Sequence, residues 1–214
     1  MPKILGVSAS PFVRKVLVAM IEKGLPYELV PVLPFAPPPD FKKISPLGKV
    51  PVYQDGDFTL PDSSCILAYL EKAHPTPSLM PADPKQYGTA LFLEEYADTR
   101  LMEAVAGAFF ERIVKARLQK QPADEERVRK AVTEQMPAAL DYLEPLAPGG
   151  DGIVGGRFSI ADIAIGSQLV NWEHAGERID AARHPRMAAY IARLHARPSF
   201  KTLIEQERKL FGGS

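Results

Sequence analysis

VPVYQDGDFTLPDSSCILAYLE, residues 50–71, is the stretch that decides the architecture of the first third of the chain. Asp55-Gly56 lies between two apolar runs, the strongest short-range signal for a β-hairpin. Residues 50–54 and 57–60 are therefore expected to pair as antiparallel strands. The apolar spacing of SSCILAYLEKAH, 63–74, then predicts an amphipathic helix. Working back toward the N-terminus, KILGV reads as a strand and PFVRKVLVAMIEKG as a helix stopped by Gly24. YELVPVL reads as a second strand, edge-like or irregular because of Pro31, and FKKI as a short helix. The order is βαβ, a short helix, ββ and α.

Beyond residue 76 the pattern changes. HPTPSLMPADP carries four prolines, which cannot continue a helix, and almost everything after it has helical periodicity. The expected organisation is an α/β domain over 1–76, a linker over 77–84 and an all-α domain over 85–214. About five helices are expected in that second domain. The first is long and interrupted by Gly88 and Gly107, and the next is kinked by Pro137. Ser159 and Asp162 form an S-x-x-D start signal for the helix that follows the glycine-rich loop PGGDGIVGG.

Composition narrows the classes of function. With 46% apolar and 24% charged residues, the 214-residue chain reads as an ordinary globular protein. Twenty-six basic and 26 acidic side chains cancel, so no global field favours nucleic acid or an anionic membrane. The single cysteine, Cys65, fits a reducing, cytoplasmic setting and is expected to be a small buried apolar residue. The apolar run at the N-terminus is shorter than the roughly 7–15 residues of a secretory signal core. His74, His174, His184 and His195 show no i,i+4 pair that would suggest a metal site. Arg14 and Lys15 belong to a solvated or an interdomain face.

Three local features could carry chemistry. Ser10 precedes Pro11, and proline favours the first helical position, so Ser10 stands at an N-cap. Its hydroxyl either satisfies a helix amide or faces a ligand; Ser8, in the turn before it, is the weaker candidate. Pro51 opens a strand, and a cis Val50-Pro51 bond would leave the Val50 amide and carbonyl free to pair with an extended peptide. Asp62 and Ser63 open the helix after the hairpin, where free amides and the macrodipole attract a carboxylate and Asp62 could accept from an ammonium. A plain Asp cap is the alternative reading there.

SPFVRKVLVAM, SPLGKVPV, LPDSSCILAYLE and FSIADIAIG, in that order, resemble the recurrent segments of the cytosolic glutathione transferases over essentially the whole chain. The resemblance implies a thioredoxin-like first domain and an all-helical second one. It implies the serine-type bacterial and plant-like class, with Ser10 donating a hydrogen bond to the glutathione sulfur. Val50, ahead of Pro51, would pair its backbone with the cysteinyl unit. Asp62 and Ser63 would hold the γ-glutamyl end, and Lys49 the glycyl carboxylate. Phe12 would contact the tripeptide. Apart from the resemblance, the first helix and the long one should meet across a cleft. There Phe12, Phe109 and Phe110 either line a pocket for a small apolar electrophile or, as an aromatic stripe at helical spacing, belong to the core. A homodimer with no metal cofactor is implied as well. The Ser-Ser-Cys run of the maleylacetoacetate isomerase branch is replaced by Ser8-Ala9-Ser10, and no tyrosine stands near the first strand. Isomerisation, dehalogenation and peroxide reduction remain as alternative uses of the thiolate. A non-catalytic ligand-binding or interaction protein of the same fold is the reading from a different class.

Overall fold

The computed structural model describes residues 1–210; residues 211–214, the end of the expected helical domain, lie outside them. The N-terminal part folds around a mixed four-stranded sheet of order β2-β1-β3-β4. Strand β1 (Lys3–Leu5) runs parallel to β2 (Glu28–Val30) and antiparallel to β3 (Val52–Asp55), which pairs with β4 (Phe58–Pro61). This is the thioredoxin-like arrangement. The β2 strand is shorter than its apolar run and ends just before Pro31, which has no amide for a ladder. In the hairpin Asp55 pairs with Phe58, so Gly56 and Asp57 make the turn rather than Asp55 and Gly56. Gly56 has φ +56° and Asp57 does not join it above zero, the pattern of a type II′ turn.

Helix α1 (Pro11–Glu22) crosses from β1 to β2 and is buried around almost its whole circumference. One side packs on the sheet and on α3 (Ser63–Ala73), the other on α8 (Ile160–His174). Val13, Val16, Leu17 and Met20 fill these contacts. Arg14 and Lys15 are also buried, which excludes the solvated face and leaves the interdomain one. Arg14 forms a bidentate ion pair with Glu207, and Lys15 pairs with Glu94 and Asp98. A short helix, α2 (Phe41–Ile44), anchors Phe41 beneath the loop ahead of β3.

The helical half begins with α4 (Pro84–Tyr96), whose cap Asp83 accepts from the amides of Lys85 and Gln86. The helix continues without a break through wide π turns at Ala97–Leu101, α5 (Met102–Val105) and further π turns at Ala106–Leu118. Gly88 and Gly107 therefore interrupt nothing. Gly107 is the site of closest approach to the next helix, since a Cβ there would stand 2.7 Å from Ala131 Cβ. The second long segment comprises α6 (Glu125–Lys130), π turns at Ala131–Gln135 and α7 (Met136–Leu143). Pro137 falls directly after the widened turns, where the regular ladder is already relaxed. Helix α8 is the central pillar, buried from Ile160 to Trp172. At its start the Asp162 carboxylate accepts from the Ser159 amide and hydroxyl and from the Ile153 amide. It accepts from the Tyr190 hydroxyl as well. Helices α9 (Pro185–Ala196) and α10 (Pro198–Leu210) close the bundle. Among the described residues no helix is long and apolar enough to cross a membrane.

Candidate active site

A cleft of about 1100 Å³ lies between the loop ends of the sheet and the long helical segment. From the first domain Ser10, Phe12, Lys49, Val50, Pro51, Asp62 and Ser63 line it; from the second come Met102, Val105, Phe109 and Phe110. The first-domain wall, built on loops and helix starts, carries these polar groups among apolar loop residues such as Leu33, Phe35 and Leu47. The helical wall is mainly apolar but also carries Glu95, Asp98 and Arg127.

Ser10 is the N-cap of α1 by backbone geometry, yet its side chain makes no cap bond. Its carbonyl accepts from the Arg14 amide at 2.9 Å, and its amide donates to the Val7 carbonyl at 2.9 Å. Pro11, with no N–H, occupies the first helical position. The hydroxyl is thus left with no amide to satisfy, in a partly exposed position on the cleft wall. Ser8 is buried.

The Val50-Pro51 peptide is cis, and β3 begins only at Val52. Val50 takes part in no backbone hydrogen bond among the described residues. Just before it, the buried Ser45 hydroxyl donates to the Lys49 carbonyl at 2.7 Å and accepts from the Lys49 amide at 3.1 Å. That pair of bonds closes the loop and leaves the Lys49 side chain exposed at the rim. Of the two other lysines nearby, Lys43 pairs with Asp40.

Asp62 caps α3, its Oδ1 accepting from the Ser64 and Cys65 amides, both at 3.0 Å. It does so from φ +80°, ψ 128°, a backbone conformation that residues other than glycine rarely adopt. Ser63, in the first turn of α3, is 3% exposed. Cys65 is exposed on α3 rather than buried, because its position faces outward while Ile66 and Leu67 take the core side. Partial burial and the neighbouring Asp62 carboxylate push its thiol pKa up.

Beneath the first-domain wall lies a cluster with weak sequence signals. The Lys15 ammonium donates to Glu94, to Asp98 Oδ2 at 2.5 Å and to Ser64 Oγ at 3.2 Å. The Ser64 hydroxyl donates to Glu94 Oε1 at 2.5 Å. Burial pushes the Asp98 carboxyl up to about 6, against the pull of Lys15. Asp98 also borders the cleft, as does Asn171 of α8. The available clues were an i,i+4 acid pair on one helix and a lysine within an otherwise apolar one; Asn171 offered none. On the helical wall Phe109 is partly buried and Phe110 39% exposed.

The cleft therefore presents a hydroxyl at the start of one helix, a carboxylate and hydroxyl at the start of another, an unpaired strand-like peptide and a rim lysine. Such a set suits a short extended peptide with an ammonium, carboxylates and a thiol. No group of three or more His, Cys, Asp or Glu side chains that could hold a metal ion occurs among the described residues.

Comparison with known proteins agrees with this geometry. The family model "Glutathione S-transferase, N-terminal domain" matches residues 5–78, and "Glutathione S-transferase, C-terminal domain" matches residues 107–207. The probable cytosolic glutathione S-transferase DHAR1 of Oryza sativa subsp. japonica is 31% identical over 209 residues, 94% of this chain and 87% of its own. The maleylacetoacetate isomerase of Rattus norvegicus is 26% identical, over 87% of this chain and 84% of its own. A glutathione S-transferase crystal structure from Methylobacterium radiotolerans, in complex with glutathione sulfonate, superposes with a TM-score of 0.77. It is 33% identical and covers 95% of this chain and 94% of its own. Glutathione is the co-substrate from which that family takes its name, and the chain belongs to the glutathione S-transferase family.

Proposed function

We propose that this protein binds glutathione on the first-domain wall, stabilises its thiolate with the Ser10 hydroxyl and directs the sulfur at a small, mainly apolar electrophile. The observation that carries the reading is the Ser10 side chain: it stands at a helix start, on the cleft, with no cap bond to make. A free thiol with a pKa of about 8.5 is only a few per cent thiolate at neutral pH. Lowering that pKa by about 2 units needs roughly 2.7 kcal/mol of preference for the charged form. A charge-assisted hydrogen bond together with the helix dipole supplies an amount of this size.

In this reading the Val50 backbone pairs with the cysteinyl unit, beside Pro51. The Asp62 carboxylate takes the γ-glutamyl ammonium, and Ser63, through its hydroxyl and its own backbone amide, takes its carboxylate. Lys49 faces the glycyl carboxylate. Phe12, Phe109 and Phe110 hold the electrophile. Conjugation is the reaction proposed; the rat isomerase relative supports a second reading in which the thiolate adds, assists a double-bond rotation and leaves again. The reading includes a homodimer and a reducing, cytoplasmic setting, the latter supported by a lone exposed thiol.

The test is the ultraviolet absorbance of the thiolate of bound glutathione, titrated in wild type and in Ser10→Ala. Ser10→Ala should return the thiol pKa toward its free value. It should slow turnover of an aromatic electrophile by roughly 10- to 1000-fold, as for loss of one charge-stabilising donor. Identical titrations would remove Ser10 from the chemistry, and no saturable binding at millimolar glutathione would remove the whole reading.

A further inference from the structure

The Ala9–Ser10 peptide, which sets where the Ser10 side chain points, is held at both of its polar ends. Its N–H donates to the Val7 carbonyl within the same turn. Its carbonyl accepts from the Asn171 side chain, Nδ2 to O at 3.0 Å, across 162 positions of sequence. Asn171 lies in the last turn of α8 and is 1% exposed. Its other end is committed as well, since Oδ1 accepts from Arg14 at 2.7 Å. That bond fixes the amide orientation, because only oxygen suits the guanidinium and only nitrogen suits the carbonyl. Arg14 is in turn fixed by the Ser167 carbonyl at 2.7 Å and by both oxygens of Glu207 on α10. Glu207 also meets His174 Nε2 at 2.9 Å.

We propose that Asn171 is a positioning residue for Ser10, and that the second domain, through α8 and the buried Arg14–Glu207 pair, sets the aim of the hydroxyl in the first. The inference rests on the thiolate-stabilising role of Ser10 given above. Asn171 borders the cleft, but both ends of its amide are occupied within the protein, so its part is to orient rather than to touch substrate. An asparagine is the side chain that meets both demands: a neutral group of this length that accepts from a cation and donates to a carbonyl. With the peptide plane held, only the side-chain torsion of Ser10 remains to be set. Without it, the Ala9 carbonyl loses its anchor in the second domain, and the Ala9–Ser10 peptide is held only by the local bonds of Ser10 to Val7 and Arg14.

The experiment uses Asn171→Leu, close in size and neutral, so that it adds no charge beside the sulfur. The expected result is a bound-glutathione pKa moved toward the free value and a kcat lowered by about 10- to 100-fold, the scale of a misaimed group. The glutathione dissociation constant should change by less than about threefold, since the contacts that hold the peptide's ends are elsewhere. In the Ser10→Ala background the same substitution should have little further effect on either quantity, because the group it aims is gone. A purely structural role predicts losses that multiply in the double variant. Multiplicative losses, or a wild-type titration in Asn171→Leu, overturn the proposal. Should Asn171→Leu not fold, Asn171→Ser, which places no added apolar bulk beside Arg14, is judged by the same titration and double variant. If Ser10→Ala leaves the thiolate unmoved, the underlying reading of Ser10 fails. If Ser10→Ala moves it and neither Asn171 variant does, this inference alone fails.

Discussion

Two aspartates beside the cleft are held against their ordinary preferences. Asp62 keeps a positive φ of the kind that costs of order 1–3 kcal/mol, and its two cap bonds to α3 offset part of that. Asp98 sits where burial disfavours its charge, so that its pKa stands at about 6 in the folded protein against an ordinary 3.8. A folded-state pKa above the unfolded one means that the folded state binds the proton more tightly. The corresponding stability is present below pH 3.8 and is lost as pH rises through about 6. Asp98→Asn cannot titrate and should escape that loss. Measured by urea unfolding, its stability relative to wild type should rise by about 2–3 kcal/mol between pH 4 and pH 7.5. A difference that stays constant with pH would show that Asp98 is ionised at no cost beside Lys15.

The helical elements show how little a residue type means without its surroundings. Gly88 and Gly107 lie in the same long helical segment, and neither breaks it. Around Gly88 there is open space, so a methyl group would clash with nothing. Gly88→Ala should therefore stabilise the protein by about 0.5–1 kcal/mol, the gain of removing a helix-interior glycine. At Gly107 the added Cβ would meet Ala131 Cβ at 2.7 Å, and both helices would have to part. Gly107→Ala should cost about 1–3 kcal/mol, as overpacking does. Paired denaturant titrations read both; equal effects would mean that the two segments do not pack this closely in solution.

For the whole molecule, the proposed homodimer has two exposed apolar surfaces to draw on. On the first domain Phe58 of β4, 42% exposed, stacks on Tyr69 of α3. On the second, Phe92 of α4, 51% exposed, leans on Tyr96 and Tyr142. A two-fold axis lets a patch on one domain meet a different patch of the other copy, twice over. Light scattering at micromolar concentration should give twice the chain mass of 23.5 kDa, and Phe92→Glu should shift the protein toward monomer. A single-chain mass for wild type would count against the assembly.

What could be read in the chain itself was what depends on neighbours in sequence. The hairpin at Gly56, the βαβ order, the cap-like positions of Ser10 and Asp62 and the Ser159–Asp162 start of α8 all follow from local dihedral preference and apolar spacing. Folding alone decided the rest. Arg14 and Lys15 look like surface residues until Glu207, Glu94 and Asp98 arrive from helices 79 to 193 positions away. Cys65 looks like a core residue until the turn of α3 faces it outward. Asn171 carries no local signal at all, because its significance lies in the two groups, Arg14 and the Ala9 carbonyl, that the packing of α8 against α1 brings to its ends. A buried polar group needs partners, and its partners are supplied by tertiary contact rather than by sequence spacing.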